Sequence, residues 1–364
     1  MEEKTNSRKK LMSNGTRNII LLGLISCFAD ISSEMVYPLI PLYLTAALGA
    51  TPVLVGLIEG IAESIASLLK VFSGYISDRF QHKKAIAFSG YATGLLYKIA
   101  LIFATSWNGI LSARVIDRFG KGIRTAPRDV MVSESADQNN MGKSFGIHKM
   151  LDMAGSAIGI LLSFILLKKI GSNPESYKMI FAISILPIVI ALLLFFFVHE
   201  KKEKRQPMQR EYFWKNISQL DHNLKLLLLR AYNIGFDSST TILLYFIYNL
   251  TASLFAIPCG KLSDKIGRKH LLVGGYLTFS LVYFGFAFCT SKPLMILIFV
   301  VYGIYTAMTA GAERAFIAEI APIKLKGTML GLHSTLVGIA LLPASVIAGF
   351  LWDKIGVFAP FMFG

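Results

Sequence analysis

The chain has 364 residues, of which 54% are hydrophobic and 16% charged, and its mean hydropathy is +0.57. Soluble domains carry about 25% charged residues, so composition excludes an ordinary water-soluble protein. The net charge of +15 would suit a nucleic-acid binder, but the placement of the basic residues argues for a different origin.

A basic tail (1–17) with Arg8, Lys9, Lys10 and Arg17 precedes the first apolar block, which runs over 18–48. That block is too long for a cleavable leader and contains acids. Pro38 and Pro41 remove helical donors and should bend it. Further apolar blocks at 53–77, 85–105, 109–123, 143–167 and 177–198 complete a first set of six. Crossing a bilayer takes roughly 20 residues per helix, and lipid offers backbone groups no partners, so spans of this kind must be helical. A basic connection (199–222) follows, then blocks at 240–260, 271–290, 294–318 and 327–352. Between them, 223–236 is too short to span comfortably and contains Arg230.

With the amino terminus inside, the inner connections hold 23 Lys and Arg and the outer ones 5. This is the positive-inside pattern, and it explains the charge without nucleic acid. The 199–222 connection becomes a cytoplasmic linker facing anionic headgroups, and a multi-pass protein of the cytoplasmic (inner) membrane is expected. Cys27, Cys259 and Cys289 lie singly inside apolar blocks, as buried thiols do, with neither disulfide nor zinc spacing. No nucleophile elbow, phosphate loop or metal cluster is present, so neither catalysis nor a cofactor is expected.

Internal repetition then sets the architecture. GYISDRFQHKK (74–84) and GKLSDKIGRKH (260–270) share Gly, Ser-Asp-basic and a basic pair at the same spacing. Farther on, 127–149 pairs with 313–334, matching Arg128 to Arg314, Gly142 to Gly327, Gly146 to Gly331 and His148 to His333. Two six-helix halves related by a parallel repeat are a recognised transporter plan. The halves differ in length: Arg17 to Gly74 is 57 residues, Asn223 to Gly260 only 37. The shortfall is about one helix. The expected organisation is a tail (1–17), an N-terminal bundle (18–198), the linker (199–222) and an incomplete C-terminal bundle (223–364). That makes 10–11 transmembrane helices, with a shortened seventh and no twelfth.

These features resemble the major facilitator superfamily. Both loops resemble its motif A, through Gly74, Asp78, Arg79, Lys83 and Lys84 and again through Gly260, Asp264, Lys265, Arg268 and Lys269. Arg114 with Gly120 and Gly122 is similar to motif B. Gly155 and Gly159 are similar to the antiporter motif C, without its proline. DISSEMVYPLIPLYL (30–44) and RVIDRFGKGIRTAPRD (114–129) resemble a largely uncharacterised, drug-exporter-like bacterial and archaeal branch. The resemblance implies an all-α fold of two six-helix bundles. It also implies motif A contacts that hold one state and break as the cytoplasmic side opens. Helix starts are partially positive, so Asp78 and Asp264 are suited to meet them.

Ionisable groups at membrane depth are default functional candidates. They fall in the first half: Asp30 and Glu34, then Glu59 and Glu63, then Arg114, Asp117 and Arg118, then Asp152. Residues three or four apart share a helix face, so each set faces a cavity or another set, either as a proton-coupling apparatus or as a structural ion-pair network. The expected function is secondary transport, proton-coupled and outward, of amphipathic or drug-like compounds. A metabolite or siderophore transporter is the alternative, and a non-transporting membrane protein or receptor is the rival of another class. The expected partners are a small solute, protons and the bilayer, with the chain acting as a monomer.

Cysteine labelling from outside the cell should reach positions 50 and 173 and miss positions 82, 205 and 268. Labelling of 205 and 268 from opposite sides would exclude the two-repeat topology.

Overall fold

A computed structural model describes residues 2–49, 82–171, 173–200, 238–322 and 325–363, together with 58, 62, 66, 69–70 and 72–79. The sequence-defined segment 223–236, most of the 199–222 linker, and Glu59 and Glu63 lie outside the described residues. The described elements are α-helices and two short 3-10 turns. Seven of the helices are long and apolar enough to cross a membrane.

Helix α1 (Glu2–Val36) stops just before Pro38, and α2 (Leu39–Leu48) resumes beyond it. The break falls at that proline because its ring cannot continue the hydrogen-bond ladder of the preceding turn. Residues 72–79 are helical and lead into α3 (Lys83–Phe103). Helix α4 (Trp107–Ser135) begins at Ser106, whose hydroxyl accepts from the Gly109 N–H, an N-cap of the ordinary kind. Helix α5 (Met141–Ile170) and the pair α6 (Pro174–Ile183) and α7 (Ile185–Leu194) complete the first set. The second set is α8 (Ser238–Ile266), α9 (Arg268–Phe288), α10 (Lys292–Ile320) and α11 (Lys326–Lys354), followed by the short α12 (Ala359–Phe363).

Each set has its own core. In the first, Met35, Leu39, Tyr43 and Leu44 pack on Leu101, Ile110 and Phe181, while Leu22, Ile25, Tyr91, Phe145 and Phe195 form a second cluster. In the second set, Tyr283, Phe286, Phe299 and Tyr302 dominate. Leu186, Leu193, Phe196, Leu277, Leu281 and Phe284 are exposed on the outside of the bundle. That apolar exterior suits hydrocarbon and would be untenable in water.

Two of the crossings between the sets are α5 on α8 and the 72–79 helix on α11. Both crossings are made at glycine. A Cβ added at Gly142 would lie 2.7 Å from the Gly260 carbonyl oxygen, and one at Gly146 equally close to that of Ala256. Gly74 and Gly327 confront each other in the same way, backbone against backbone. The sequence repeat that pairs Gly74 with Gly260 and Gly142 with Gly327 is therefore a repeat of contacts, in which each half supplies one glycine to each crossing.

Gly260→Val should force the crossing apart, because the obstructing atoms are backbone; overpacking of this kind costs about 1–3 kcal/mol. Gly94→Ala meets only Ile188 atoms, at 3.4 Å and beyond, and should melt like the parent. Thermal unfolding of the purified protein compares the two, and equal midpoints would remove the steric account of the seam.

Candidate functional site

Two carboxylates close the seam at its basic end. Asp78 accepts from the backbone N–H groups of Gly327 (3.0 Å) and Thr328 (2.7 Å), and from the Thr328 hydroxyl (2.7 Å). Asp264 accepts from the N–H groups of Gly142 (2.8 Å) and Lys143 (2.7 Å). Each acid sits on the first turn of a helix in the opposite half, where free N–H groups and the helix dipole favour negative charge. Asp78 lies beyond the apolar span; burial raises its carboxyl above the usual range, and the donors of Thr328 and Gly327 oppose that rise.

The basic members of the two loops have separate tasks. Lys83 pairs with Glu134 at the end of α4, and Arg268 pairs with Glu319 at the end of α10. Arg268 also reaches Asp264 at 3.4 Å. Lys84 donates to the Val198 carbonyl at 2.7 Å, tying α3 to the end of the first set. Arg79 is exposed, with its guanidinium 3.4 Å from the Tyr75 hydroxyl, and Lys265 and Lys269 are exposed.

Deeper in the molecule, Asp30, Glu34, Arg114, Asp117 and Arg118 line one small polar cleft. Asp117 lies 3.2 Å from Arg114 and 3.6 Å from Arg118, so it is held between two guanidinium groups. Both of these also lie over the Tyr37 ring, at 5.3 and 5.8 Å. Glu34 accepts from the Tyr245 hydroxyl at 3.4 Å, a contact between the two halves. Asp152 stands behind the cleft wall, within side-chain hydrogen-bonding reach of Asp30 and 3.0 Å from Lys149.

Tyr245 also begins a run of aromatic rings on the second half. It stacks on Tyr248 at 6.1 Å, Tyr248 on Tyr302 at 5.0 Å, and Tyr302 on Tyr305 at 5.6 Å. The cleft is thus lined by groups of the first half, Tyr245 of α8 reaches its Glu34 from the other, and Tyr302 and Tyr305 at the far end of the run are packed in the core of the second set.

Several groups of this site escape sequence reading. Lys98 lies inside an apolar span, 1% exposed and 4.2 Å from the Tyr97 ring centroid; the rule that flags buried charges would have found it. Lys121 and Arg124 add to the cleft, and Arg124 stacks over Tyr91 at 4.4 Å. Asp129 lies 3.5 Å from Arg314 across the two halves. The match of Arg128 to Arg314 in the repeat was the available signal, one residue away. The tyrosine run has its signature in the three-residue spacings of Tyr245 with Tyr248 and of Tyr302 with Tyr305. His148 is buried, its Nε2 3.1 Å from the Ser26 hydroxyl; among the described residues no cluster with metal-ligand character occurs.

An all-helical membrane bundle, built from two repeated halves around a central polar cleft, is the architecture of a secondary transporter. The family model of the Major Facilitator Superfamily matches residues 22–232 and again 224–364, and the chain belongs to that superfamily. It is 35% identical over 386 aligned positions to an uncharacterised MFS-type transporter of Methanocaldococcus jannaschii, covering 100% of this chain and 94% of the relative. That alignment is longer than the chain itself, so gaps fall within it. A multidrug resistance protein, MdtH of Photorhabdus laumondii, is 27% identical over 134 residues, 37% of this chain and 33% of that one. Among solved structures, the fold is similar to the human organic anion transporter MFSD10 (TM-score 0.74, 16% identity, 96% of each chain). It is also similar to the proton:xylose symporter XylE (TM-score 0.72, 14% identity, 97% of this chain and 93% of that one).

Asp264→Asn removes the charge from a helix start, and loss of a charge–dipole interaction of this kind costs about 0.3–1 kcal/mol. The variant should retain membrane insertion and melt at a lower temperature than the parent, whereas Lys265→Gln, at an exposed position, should melt unchanged. A pair of identical melting curves would reduce the acid to a topological marker.

Proposed function

We propose that this transporter is a proton-coupled exporter of small amphipathic molecules, working by alternating access across the cytoplasmic membrane. The observation that carries the reading is the junction of Glu34 with Tyr245. There the charged cleft of the first half meets Tyr245 of the second, whose ring stacks on Tyr248, so a solute with a polar head and an apolar body would find a partner on each side. Partial likeness to multidrug resistance proteins agrees with such a cargo. The basic end is taken as cytoplasmic on the positive-inside pattern.

Proton coupling rests on the Asp30–Asp152 contact. Two carboxyl groups within hydrogen-bonding reach cannot both keep full charge without large repulsion, so the pair is suited to hold one proton and to give it up when its surroundings change. Asp117, between two arginines, is suited instead to remain charged and to hold α4 in shape. Asp78 and Asp264 act as the closures that must be undone when the cytoplasmic side opens.

The test is flux into proteoliposomes under an imposed pH gradient, for the parent and for Asp30→Asn, Asp117→Asn and Arg114→Gln. Asp30→Asn is expected to fold in normal yield and to lose the pH dependence of transport. Removing one member of the Arg114–Asp117–Arg118 cluster leaves a buried charge uncompensated, at about 3–5 kcal/mol, so those variants should mainly lose folded yield. Parent protein that moves no amphipathic solute under any gradient would overturn the exporter reading in favour of a receptor or a non-transporting scaffold.

A further inference from the structure

Helix α4 carries a stripe of charge along one face. Arg114, Asp117, Arg118, Lys121 and Arg124 recur at spacings of three and four residues, so they stand one above another. All five line the cleft, and all but Asp117 are cations. Like charges at this spacing repel one another, so the stripe calls for negative charge opposite it. Asp117 is taken up by Arg114 at 3.2 Å and Arg118 at 3.6 Å, and Lys98 of α3 faces it as well. Lys98 is 1% exposed and rests on the Tyr97 ring. Lys121 and Arg124 are left over. Among the described residues neither has a carboxylate within ion-pair distance, Asp30 and Glu34 across the cleft included.

Arg124 is the telling member. It is 6% exposed, its guanidinium lies 4.4 Å from the Tyr91 ring centroid, and none of its N–H groups donates to another described residue. The fold holds it firmly. A Cβ added at Gly90 would lie 2.7 Å from Arg124 Cβ, so α3 presses directly on its stem. The Tyr91 ring beneath it is fixed in turn through its hydroxyl, 3.0 Å from that of Ser26. A guanidinium carries five donors in a planar fork and keeps its charge. Burying those donors unspent is costly, whereas a carboxylate, phosphate or sulfonate accepts two of them at once.

We propose that Arg124 and Lys121 form an anion subsite in the cleft, which takes the carboxylate, phosphate or sulfonate head of an amphipathic cargo. Lys121 is one turn from Arg124 and exposed, so it can swing onto the same head while the guanidinium grips it in the plane. The acids opposite would favour a cation, but they are outnumbered and partly engaged. Glu34 already accepts from Tyr245 at 3.4 Å. A cationic head would have to enter beside Arg114, Arg118, Lys121 and Arg124, whereas an anionic head completes the balance of charge. The subsite rests on the cargo reading above and narrows it, from any polar head to a negative one.

The test is calorimetric binding to purified full-length protein in an uncharged detergent, with probes that share one apolar body. These are 1-naphthylacetate and 1-naphthyl phosphate, the neutral 1-naphthylacetamide, the cation 1-naphthylmethylammonium, and inorganic phosphate without the body. The two naphthyl anions should bind at least about tenfold more tightly than the amide or the ammonium, the scale of a charge-assisted hydrogen bond. Arg124→Gln should lose that preference and bind the amide as the parent does, while Arg124→Lys keeps part of it. Arg124 has no ion-pair partner to strand, and melting curves without probe check that the variant folds. Lys121→Gln, at an exposed position, gives a second variant and should weaken the anions several-fold. Ammonium bound as tightly as the anions, or none of the probes bound, would overturn the subsite. So would anion binding that is unchanged in both Arg124→Gln and Lys121→Gln. Inorganic phosphate bound as tightly as 1-naphthyl phosphate would overturn the amphipathic cargo. Flux fails separately: anions bound as expected yet moved under no gradient would sink the exporter and leave the subsite standing. Gradient-driven export of the ammonium but of neither anion would do the reverse.

Discussion

Everything in this molecule depends on two helices being allowed to begin against a neighbour from the other half. The starts of α5 and α11 present N–H groups without partners inside their own helices, and each is answered by one carboxylate, Asp264 and Asp78. A buried helix start without such a partner would be costly. The acids reach it only because glycine meets glycine at the crossing and the backbones come into direct contact. Steric fit and charge therefore act at the same place.

The architecture was largely legible in the sequence because its determinants are local. Apolar blocks of bilayer length, the proline break at Pro38 and the alternation of basic connections each act within a few residues. The repeat added what periodicity cannot: Gly74 with Gly260 and Gly142 with Gly327 identified the positions where the halves touch. The pairing itself was not visible, since nothing in GYISDRFQHKK says that Asp78 will meet residue 327 rather than a nearer helix.

The charged site was legible in membership and illegible in arrangement. Asp30, Glu34, Arg114, Asp117 and Arg118 stand out as expensive groups in apolar surroundings, and they line one cleft. Asp152, from the same set, stands behind the wall instead of in it. Lys98 escaped notice although it obeys the same rule. Asp129 lies toward the end of α4, in sequence that reads as a basic connection, and its burial at 2% exposure arises only from helices that arrive from the other half. Tertiary contact of that kind leaves no periodic trace.

The uneven sharing of the cleft between the halves carries a consequence of its own. Its charged groups sit on α1 and α4, whereas the second half reaches it through Tyr245 of α8, whose ring stacks on Tyr248. The two halves repeat one scaffold, and on the reading proposed above they are specialised, one as engine and one as mould. Changes at Tyr245 and Tyr248 would then redraw the range of acceptable cargo without retuning the ion chemistry that drives it. On that reading, chains sharing this first half can diverge in what they carry while still running on the same fuel.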